Sequence, residues 1–159
     1  QRIGRGPLAL LVDEVQVDPG QRNAELVEAV EHRLLGAPVE AVYKTLVVLC
    51  EPPKSGKPIL VMVASHREVD LKALAKSLKE KSLRMATQKE AESLTGLQIG
   101  GISALALINR GFEICIDEPA LALEQIHISA GKRGVDLQLA VKDLVELTRA
   151  KTVKASSES

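Results

Sequence analysis

Hydrophobic residues recur with two different periods along this chain. Apolar positions three and four residues apart predict helices, because that spacing places them on one helical face. Continuous apolar and β-branched runs predict strands. The predicted helices span 23–35, 70–81, 87–95 and 140–150, and the predicted strands span 42–50, 59–64, 83–86, 104–108, 112–116, 125–129 and 135–139. The largely apolar segment 8–17 suits a helix end followed by a strand.

Capping and turn residues mark the boundaries of these elements. Asp70 is a suitable helix N-cap, and Thr87 with Glu90 matches a capping box. The run Asn109-Arg110-Gly111 predicts a hairpin between the strands on either side of it. Helices and strands alternate early, several strands follow, and a helix closes the chain. This order indicates an α+β fold, with a single domain whose mixed, barrel-like β-sheet is flanked by helices.

The length of 159 residues suits one domain with a single sizeable core. We assign 1–7 to an N-terminal extension or processed end, 8–153 to the folded domain and 154–159 to a flexible polar tail. Hydrophobic residues make up 45% and charged residues 26%, which is typical of soluble globular proteins. No run approaches the roughly 20 apolar residues that span a bilayer, so no membrane partner is expected.

Charge and aromatic content restrict the ways in which this chain can bind nucleic acid. The 21 basic and 21 acidic residues cancel, which disfavours non-specific binding to a duplex. Aromatic residues make up 1%, which disfavours stacking of a row of bases. A local basic patch that holds the end of one RNA remains compatible with both numbers.

The cysteines and histidines do not match metal or redox motifs. Cys50 and Cys115 lie in separate predicted strands without a CxxC pair, so we expect buried free thiols and a cytoplasmic location. The three histidines, His32, His66 and His127, show no HxH or HExxH spacing and are treated as structural or solvated. We therefore expect neither a metal nor an organic cofactor.

Lys44 opens a strand that is otherwise apolar. An ammonium group there can point toward a cleft and stabilise a phosphate or a developing oxyanion. Taken alone, the pattern is more often that of a solvated lysine at a strand edge, because lysine side chains are mostly exposed.

Two small-residue loops are the other candidate sites. Gly100-Gly101-Ile102-Ser103 allows close approach of the backbone to a ligand or converging amide groups, although a tight turn needs no ligand. The loop 129–136 contains Lys132, Arg133 and a trailing Asp136, and it can hold an anion or form a plain β-turn with a surface ion pair.

Taken in order, these motifs resemble the YbaK-type family of aminoacyl-tRNA editing domains. Tyr43-Lys44-Thr45-Leu46 is similar to the family's [FY]-K-T-L stretch, and the helix that begins Asp70-Leu71-Lys72 also matches. Further matches are Met85-Ala86, Thr95-Gly96, Gly100-Gly101-Ile102-Ser103, Asp117 and Ser129-Ala130-Gly131-Lys132-Arg133-Gly134 with Asp136. The resemblance covers roughly residues 22 to 150.

The resemblance implies a trans-editing deacylase that hydrolyses the ester of mischarged tRNA(Pro), with Cys-tRNA(Pro) the first choice of substrate and Ala-tRNA(Pro) the second. It implies that Lys44 is the catalytic residue and that the substrate helps to hydrolyse itself, without a cofactor. The implied substrate-binding residues are Gly100, Gly101, Ile102, Ser103, Ala104, Ser129, Gly131, Arg133 and Asp136. The implied partners are the tRNA acceptor end and a prolyl-tRNA synthetase.

Two departures from the family pattern concern the substrate more than the fold. Ala104 stands where the glycine loop usually has proline, which removes a rigid φ constraint. Val15 and Val17 stand where an aromatic residue and a histidine are usual. Two alternatives therefore stay open: a weak or inactive module that binds tRNA or a prolyl-tRNA synthetase, and a hydrolase of small esters or thioesters.

Overall fold

The computed structural model describes residues 10–11, 38–53 and 56–157. Three α-helices occupy these ranges: α1 Leu71–Leu78, α2 Gln88–Thr95 and α3 Val141–Thr148. Three 3₁₀ turns span Val39–Ala41, Leu105–Leu107 and Glu118–Ala122. The strands are β1 Leu10–Leu11, β2 Tyr43–Cys50, β3 Ile59–Ala64, β4 Glu68–Val69, β5 Leu83–Met85, β6 Glu113–Asp117, β7 Gln125–Lys132, β8 Val135–Ala140, β9 Lys151–Val153 and β10 Ser156–Ser157.

The largest sheet contains five strands in the order β5-β2-β3-β6-β9. Strand β2 pairs antiparallel with β3 and β5, whereas β3–β6 and β6–β9 are parallel. All six residues of β3 are buried, because this central strand is covered on both faces. The predicted strand over 59–64 and its hairpin with β2 are therefore confirmed.

A second sheet has the order β1-β8-β7 and lies beside the beginning of β2. A single parallel bridge between Val42 and His127 joins the two sheets. Strand β2 thus meets β7 at its first residues and β5 at its last ones. The α+β class and the mixed sheet are confirmed, but the strands in the described ranges do not close into a barrel.

The alternation of side chains along β2 divides the hydrophobic core in two. Tyr43 and Val47 face a cluster that includes residues of β7, β8 and α3. Val48 faces the opposite cluster, which includes Leu74 of α1. The two faces of the sheet are therefore covered by different elements, and consecutive residues of β2 enter different surroundings.

Local capping signals agree with the structure. The Thr87 side chain accepts from the Glu90 N–H while the Glu90 carboxylate accepts from the Thr87 N–H, which completes the predicted capping box. Helix α2 ends at Gly96, whose φ of 73° is the left-handed conformation that glycine favours. Helix α1 begins after Asp70, whose carboxylate accepts from the Ala73 N–H.

The predicted strand over 104–108 is wrong. Its centre, Leu105–Leu107, is a 3₁₀ turn, and β6 pairs in parallel with β3 instead of forming a hairpin with the preceding segment. Asn109 and Gly111 do form a turn with positive φ, as their residue types favour. A short apolar run does not distinguish a strand from a buried helical turn. In this fold the run packs into the core as a 3₁₀ turn.

The C-terminal segment also differs from its prediction. Residues 154–157 were predicted to belong to a flexible tail, but they pack against the domain. Ala155 is fully buried, and strand Ser156–Ser157 pairs with β4. Since a buried alanine and a strand ladder anchor this segment, the packed part of the chain continues beyond residue 153. The predicted extension 1–7, the helix over 23–35, and Val15 and Val17 lie outside the described residues.

Candidate active site

The glycine loop and the β7–β8 hairpin pack directly against each other. A Cβ atom added to Gly101 would lie 2.6 Å from the Arg133 amide nitrogen and 2.9 Å from the Lys132 carbonyl carbon. Both neighbours are backbone atoms, so they cannot move aside as the end of a side chain could. Glycine at 101 is therefore required by the approach of two backbone segments.

Further contacts hold the glycine loop and the hairpin together. The Arg133 Nε donates to the carbonyl oxygen of Ile99 at 3.3 Å. On the hairpin, Gly131 has a φ of 98°, and a Cβ there would lie 3.2 Å from that of Ala106. Gly100 also has a positive φ, of 90°. Predicted residues from the two loops are thus brought together, as the motif order suggested.

The amide of Gly101 closes a turn. It donates to the carbonyl oxygen of Gln98 at 2.8 Å. The Gly101 amide is therefore already hydrogen-bonded within the loop. It is not among the amides that could converge on a ligand, as the sequence suggested for this loop. Ser103, fully buried, accepts through its hydroxyl from the Ala106 N–H at 3.4 Å, so it shapes the following 3₁₀ turn.

Ala104 occupies the loop position at which the family usually has proline. Its φ is −61°, within the narrow range that proline imposes, and its side chain is fully buried beside Ile102 in the core. The surrounding packing therefore holds the backbone in a conformation that proline would favour.

Ser129 and Asp136 face each other across the stem of the hairpin. They are register partners in β7 and β8, and the Ser129 hydroxyl accepts from the Gly131 N–H at 3.3 Å. Asp136 is only 5% exposed. A largely buried carboxyl group therefore lies in the stem of the hairpin, next to a tip that carries Lys132 and Arg133.

Lys44 is half-buried near the beginning of β2, and its Nζ donates to the carbonyl oxygen of Ser65 at 3.4 Å. The parallel bridge between Val42 and His127 holds the chain just before β2 against the stem of the hairpin, two residues from Lys44 on one side and two from Ser129 on the other. The structure thus places the strand of Lys44 along the hairpin stem, while Gly101 contacts the hairpin tip.

Lys44 does not share a face of β2 with the core around the glycine loop. Ile102 and Ala104 pack into the cluster of Tyr43 and Val47, and Lys44 points to the other side. Lys44 and the glycine loop are therefore supports at separate places along the hairpin.

His127 is a buried polar residue that sequence reasoning treated as structural or solvated. It is 6% exposed, and its Nδ1 has no hydrogen-bond partner among the described residues. Burial lowers the pKa of its imidazole below the ordinary value. The sequence did contain a hint of this position: His127 lies two residues before Ser129 in a predicted strand, so both side chains lie on the same face of β7.

Asp117 belongs to a different part of the molecule from the glycine loop. It is buried, and its Oδ1 accepts from the Ala155 N–H at 2.8 Å. Its Oδ2 accepts from the Ser156 hydroxyl. This family-matched aspartate therefore anchors the C-terminal segment.

The described ranges contain neither a metal-binding cluster nor a helix that could span a membrane. There, no three His, Cys, Asp or Glu side chains group in a way that would hold a metal ion. Cys115 is buried, and burial raises the pKa of its thiol to about 12. Among the helices that the structure describes, none has the length and apolar character needed to cross a bilayer.

Comparison with known proteins gives consistent matches. Residues 22–147 match the family described as "Aminoacyl-tRNA editing domain". The chain is 32% identical over 124 residues to the "Putative Cys-tRNA(Pro)/Cys-tRNA(Cys) deacylase EbsC" of Enterococcus faecalis, covering 78% of this chain and 73% of that protein.

Solved structures show the same fold. The crystal structure of "hypothetical protein APE2540" has a TM-score of 0.79 at 21% identity, covering 94% of this chain and 92% of the other. That of "a putative trans-editing enzyme for prolyl tRNA synthetase" has a TM-score of 0.75 at 24% identity, covering 94% and 87%. Because the family match spans most of the chain and includes Lys44, the glycine loop and the hairpin, this protein belongs to the aminoacyl-tRNA editing domain family.

Proposed function

We propose that this aminoacyl-tRNA editing domain hydrolyses the ester of mischarged tRNA(Pro), with Cys-tRNA(Pro) as its first substrate and Ala-tRNA(Pro) as its second. The observation that carries this proposal is the hairpin itself, whose tip is fixed by Gly101 and whose stem lies beside Lys44. The relative named as a Cys-tRNA deacylase supports the choice of first substrate.

An aminoacylated terminal nucleotide suits two supports spaced along one hairpin. It is an extended ligand with a phosphate at one end and an ester at the other. A substrate lying along the hairpin can touch Lys44 and Asp136 at the stem and the glycine loop at the tip. The positive Lys44 and the buried Asp136 then orient a ligand that carries both an anionic phosphate and a cationic amino group.

The reaction needs orientation and charge stabilisation more than a strong enzymatic base. An aminoacyl ester is already activated, and either a hydroxyl of the terminal ribose or the cysteine thiol supplies the nucleophilic assistance. When the carbonyl carbon is attacked, negative charge develops on its oxygen. Lys44 stabilises that charge or holds the adjacent phosphate, and in both roles it acts as a fixed cation.

The conformation of Ala104 favours this enzyme over an inactive binding module. The alternative rested on a loop loosened by the loss of proline. With φ at −61° and the side chain fully buried, the loop keeps the geometry that proline would impose. Binding to a prolyl-tRNA synthetase, which would deliver substrate to a protein of zero net charge, is proposed as an addition to catalysis in the cytoplasm.

The direct test is single-turnover deacylation of Cys-tRNA(Pro) and Ala-tRNA(Pro) by wild type and Lys44→Ala. We expect the variant to be slower by roughly 100- to 1000-fold, which is the usual cost of removing one group that stabilises the transition state. Lys72→Ala, which removes an exposed lysine of α1, is the matched control and should behave as wild type.

Two results would contradict the proposal. The first is that wild type deacylates neither tRNA. The second is that Lys44→Ala matches the wild-type rate. Turnover of free aminoacyl thioesters without turnover of either tRNA would select the small-ester alternative.

A further inference from the structure

The C-terminal residues 154–157 clamp the turn that follows β3. Strand β10 pairs with β4, so that Ser156 lies opposite Val69. The Asp70 N–H donates to the Ala155 carbonyl oxygen at 2.8 Å, and the Ala155 side chain is fully buried. The clamp therefore consists of a strand pair, a backbone hydrogen bond and a buried methyl group.

The hydroxyl of Ser156 is the centre of this clamp. It accepts from the Arg67 Nε at 2.7 Å and donates to the Asp117 carboxylate. Asp117 is 2% exposed and also accepts from the Ala155 N–H. One hydroxyl thus connects a cation in the turn to a buried carboxylate on β6, and hydrogen bonds to such charged groups are the strong ones.

The same turn is attached at its other end to the beginning of β2. The Ser65 N–H donates to the Val42 carbonyl oxygen at 2.7 Å, and the Ser65 carbonyl oxygen accepts from the Lys44 Nζ. Between these points, the Arg67 N–H donates to the Ala64 carbonyl oxygen at 3.0 Å and closes the turn. The hydrogen bonds of Ser156 and of Lys44 are therefore made to the same short turn, and the backbone between Ser65 and Arg67 connects them.

Asp117 and Lys44 also lie on the same face of the sheet. Lys44 pairs with Val63, Val61 pairs with Cys115, and residues two apart on a strand share a face. One strand separates β2 from β6, so the backbones of the two residues are about 10 Å apart across the sheet. Burial, and then the charge of Asp117, raise the pKa of the neighbouring Tyr43 to about 12, while Arg67 lowers it.

We propose that Ser156 is a positioning residue for Lys44, acting through Arg67 and the turn 65–67. The clamp holds the Ser65 carbonyl where the ammonium group meets it, and so it decides where the end of the lysine side chain lies. The C-terminal segment is then a part of the editing site that does not touch the substrate. This inference rests on the proposed function insofar as Lys44 is the catalytic group.

The test compares Ser156→Ala, Ser156→Thr and Ser157→Ala in the full chain. Ser157 is the exposed neighbour in the same strand and is the matched control. The first measurement is kcat and KM for Cys-tRNA(Pro). The second is the ¹⁵N side-chain ammonium resonance of Lys44, assigned by its loss in Lys44→Ala.

We expect Ser156→Ala to lower kcat about tenfold at unchanged KM, since small misplacements of a catalytic group are costly. It should also shift the Lys44 resonance. Ser156→Thr, which keeps the hydroxyl, should restore both, and Ser157→Ala should alter neither.

The inference is overturned if Ser156→Ala leaves kcat and the Lys44 resonance as in wild type. It is also overturned if the variant only melts earlier, with no change in that resonance, because the clamp would then be structural alone. Full activity in Lys44→Ala would contradict the proposed function instead, and the resonance would still decide whether the clamp positions the lysine.

Discussion

Two regions around the candidate site hold distant segments of the chain together, and they do so by opposite means. At the hairpin tip, Gly101 and the segment Lys132–Arg133 meet backbone to backbone with no space for a methyl group. At the C-terminal clamp, the side chains of Arg67, Ser156 and Asp117 reach one another across the fold. The first region depends on the absence of side chains, and the second depends on their hydrogen bonds.

This difference predicts how each region responds to mutation. Backbone contact cannot relax, so adding one atom at the tip should displace a whole segment. A hydrogen-bonded clamp can lose one partner and keep the rest, so its failures should be graded. The predictions below test this contrast, from the largest expected effect to the smallest.

Gly101→Ala should have the largest effect. Its new Cβ would lie 2.6 Å from the Arg133 amide nitrogen, so the loop and the hairpin must separate. We expect deacylation to fall about 100-fold, the scale that a displacement near 1 Å can produce. Gly56→Ala, where a Cβ meets nothing within 4 Å, is the control and should keep wild-type activity. Near-normal activity of Gly101→Ala would show that the tip is not rigid.

Asp117→Asn should have an intermediate effect, expressed in stability. The amide retains the shape of the carboxylate but removes the charge that the Ala155 N–H and the Ser156 hydroxyl meet. We expect a loss of about 1–2 kcal/mol in the free energy of unfolding, measured by urea denaturation.

Glu118→Gln changes the exposed neighbour of Asp117 and should leave the urea midpoint unchanged. If Asp117→Asn were as stable as wild type, the clamp would not depend on the charge of Asp117. The proposed difference between the side-chain clamp and the backbone contact at the hairpin tip would then lose support.

His127→Gln should have the smallest effect, visible as pH dependence. Burial lowers the pKa of His127, so the unfolded chain takes up its proton first as the pH falls through the ordinary value of 6.5. Wild-type stability contributed by this group is therefore present above pH 6.5 and is lost as the pH falls toward the folded pKa.

The measurement is the unfolding free energy of wild type and His127→Gln between pH 8 and pH 5. The difference should move in favour of the variant as the pH falls. His66→Gln removes an exposed histidine and should follow the wild-type curve. Parallel curves for wild type and His127→Gln would mean that the imidazole is not held neutral by the fold.

Sequence reasoning succeeded where neighbouring residues decide the structure. The capping box of Thr87 and Glu90 is local, and β3 is an uninterrupted apolar run with turns on both sides. The candidate loops were also recognisable, because glycines and adjacent cations at given spacings are visible in the sequence. It failed at 104–108, where an apolar run of five residues fits a strand and a buried 3₁₀ turn equally well.

The sequence by itself determined the α+β class, most element boundaries, the order of the site motifs and the family they indicate. Each of these depends on contacts between residues close in the chain or on residue types at given spacings. The tertiary structure alone decided that Gly101 meets Arg133, that Val42 bridges to His127, and that residues 154–157 clamp the turn near Lys44. Those contacts join segments 32 to 89 residues apart in the sequence, and no local pattern specifies which distant segment a strand edge or a buried carboxylate will meet.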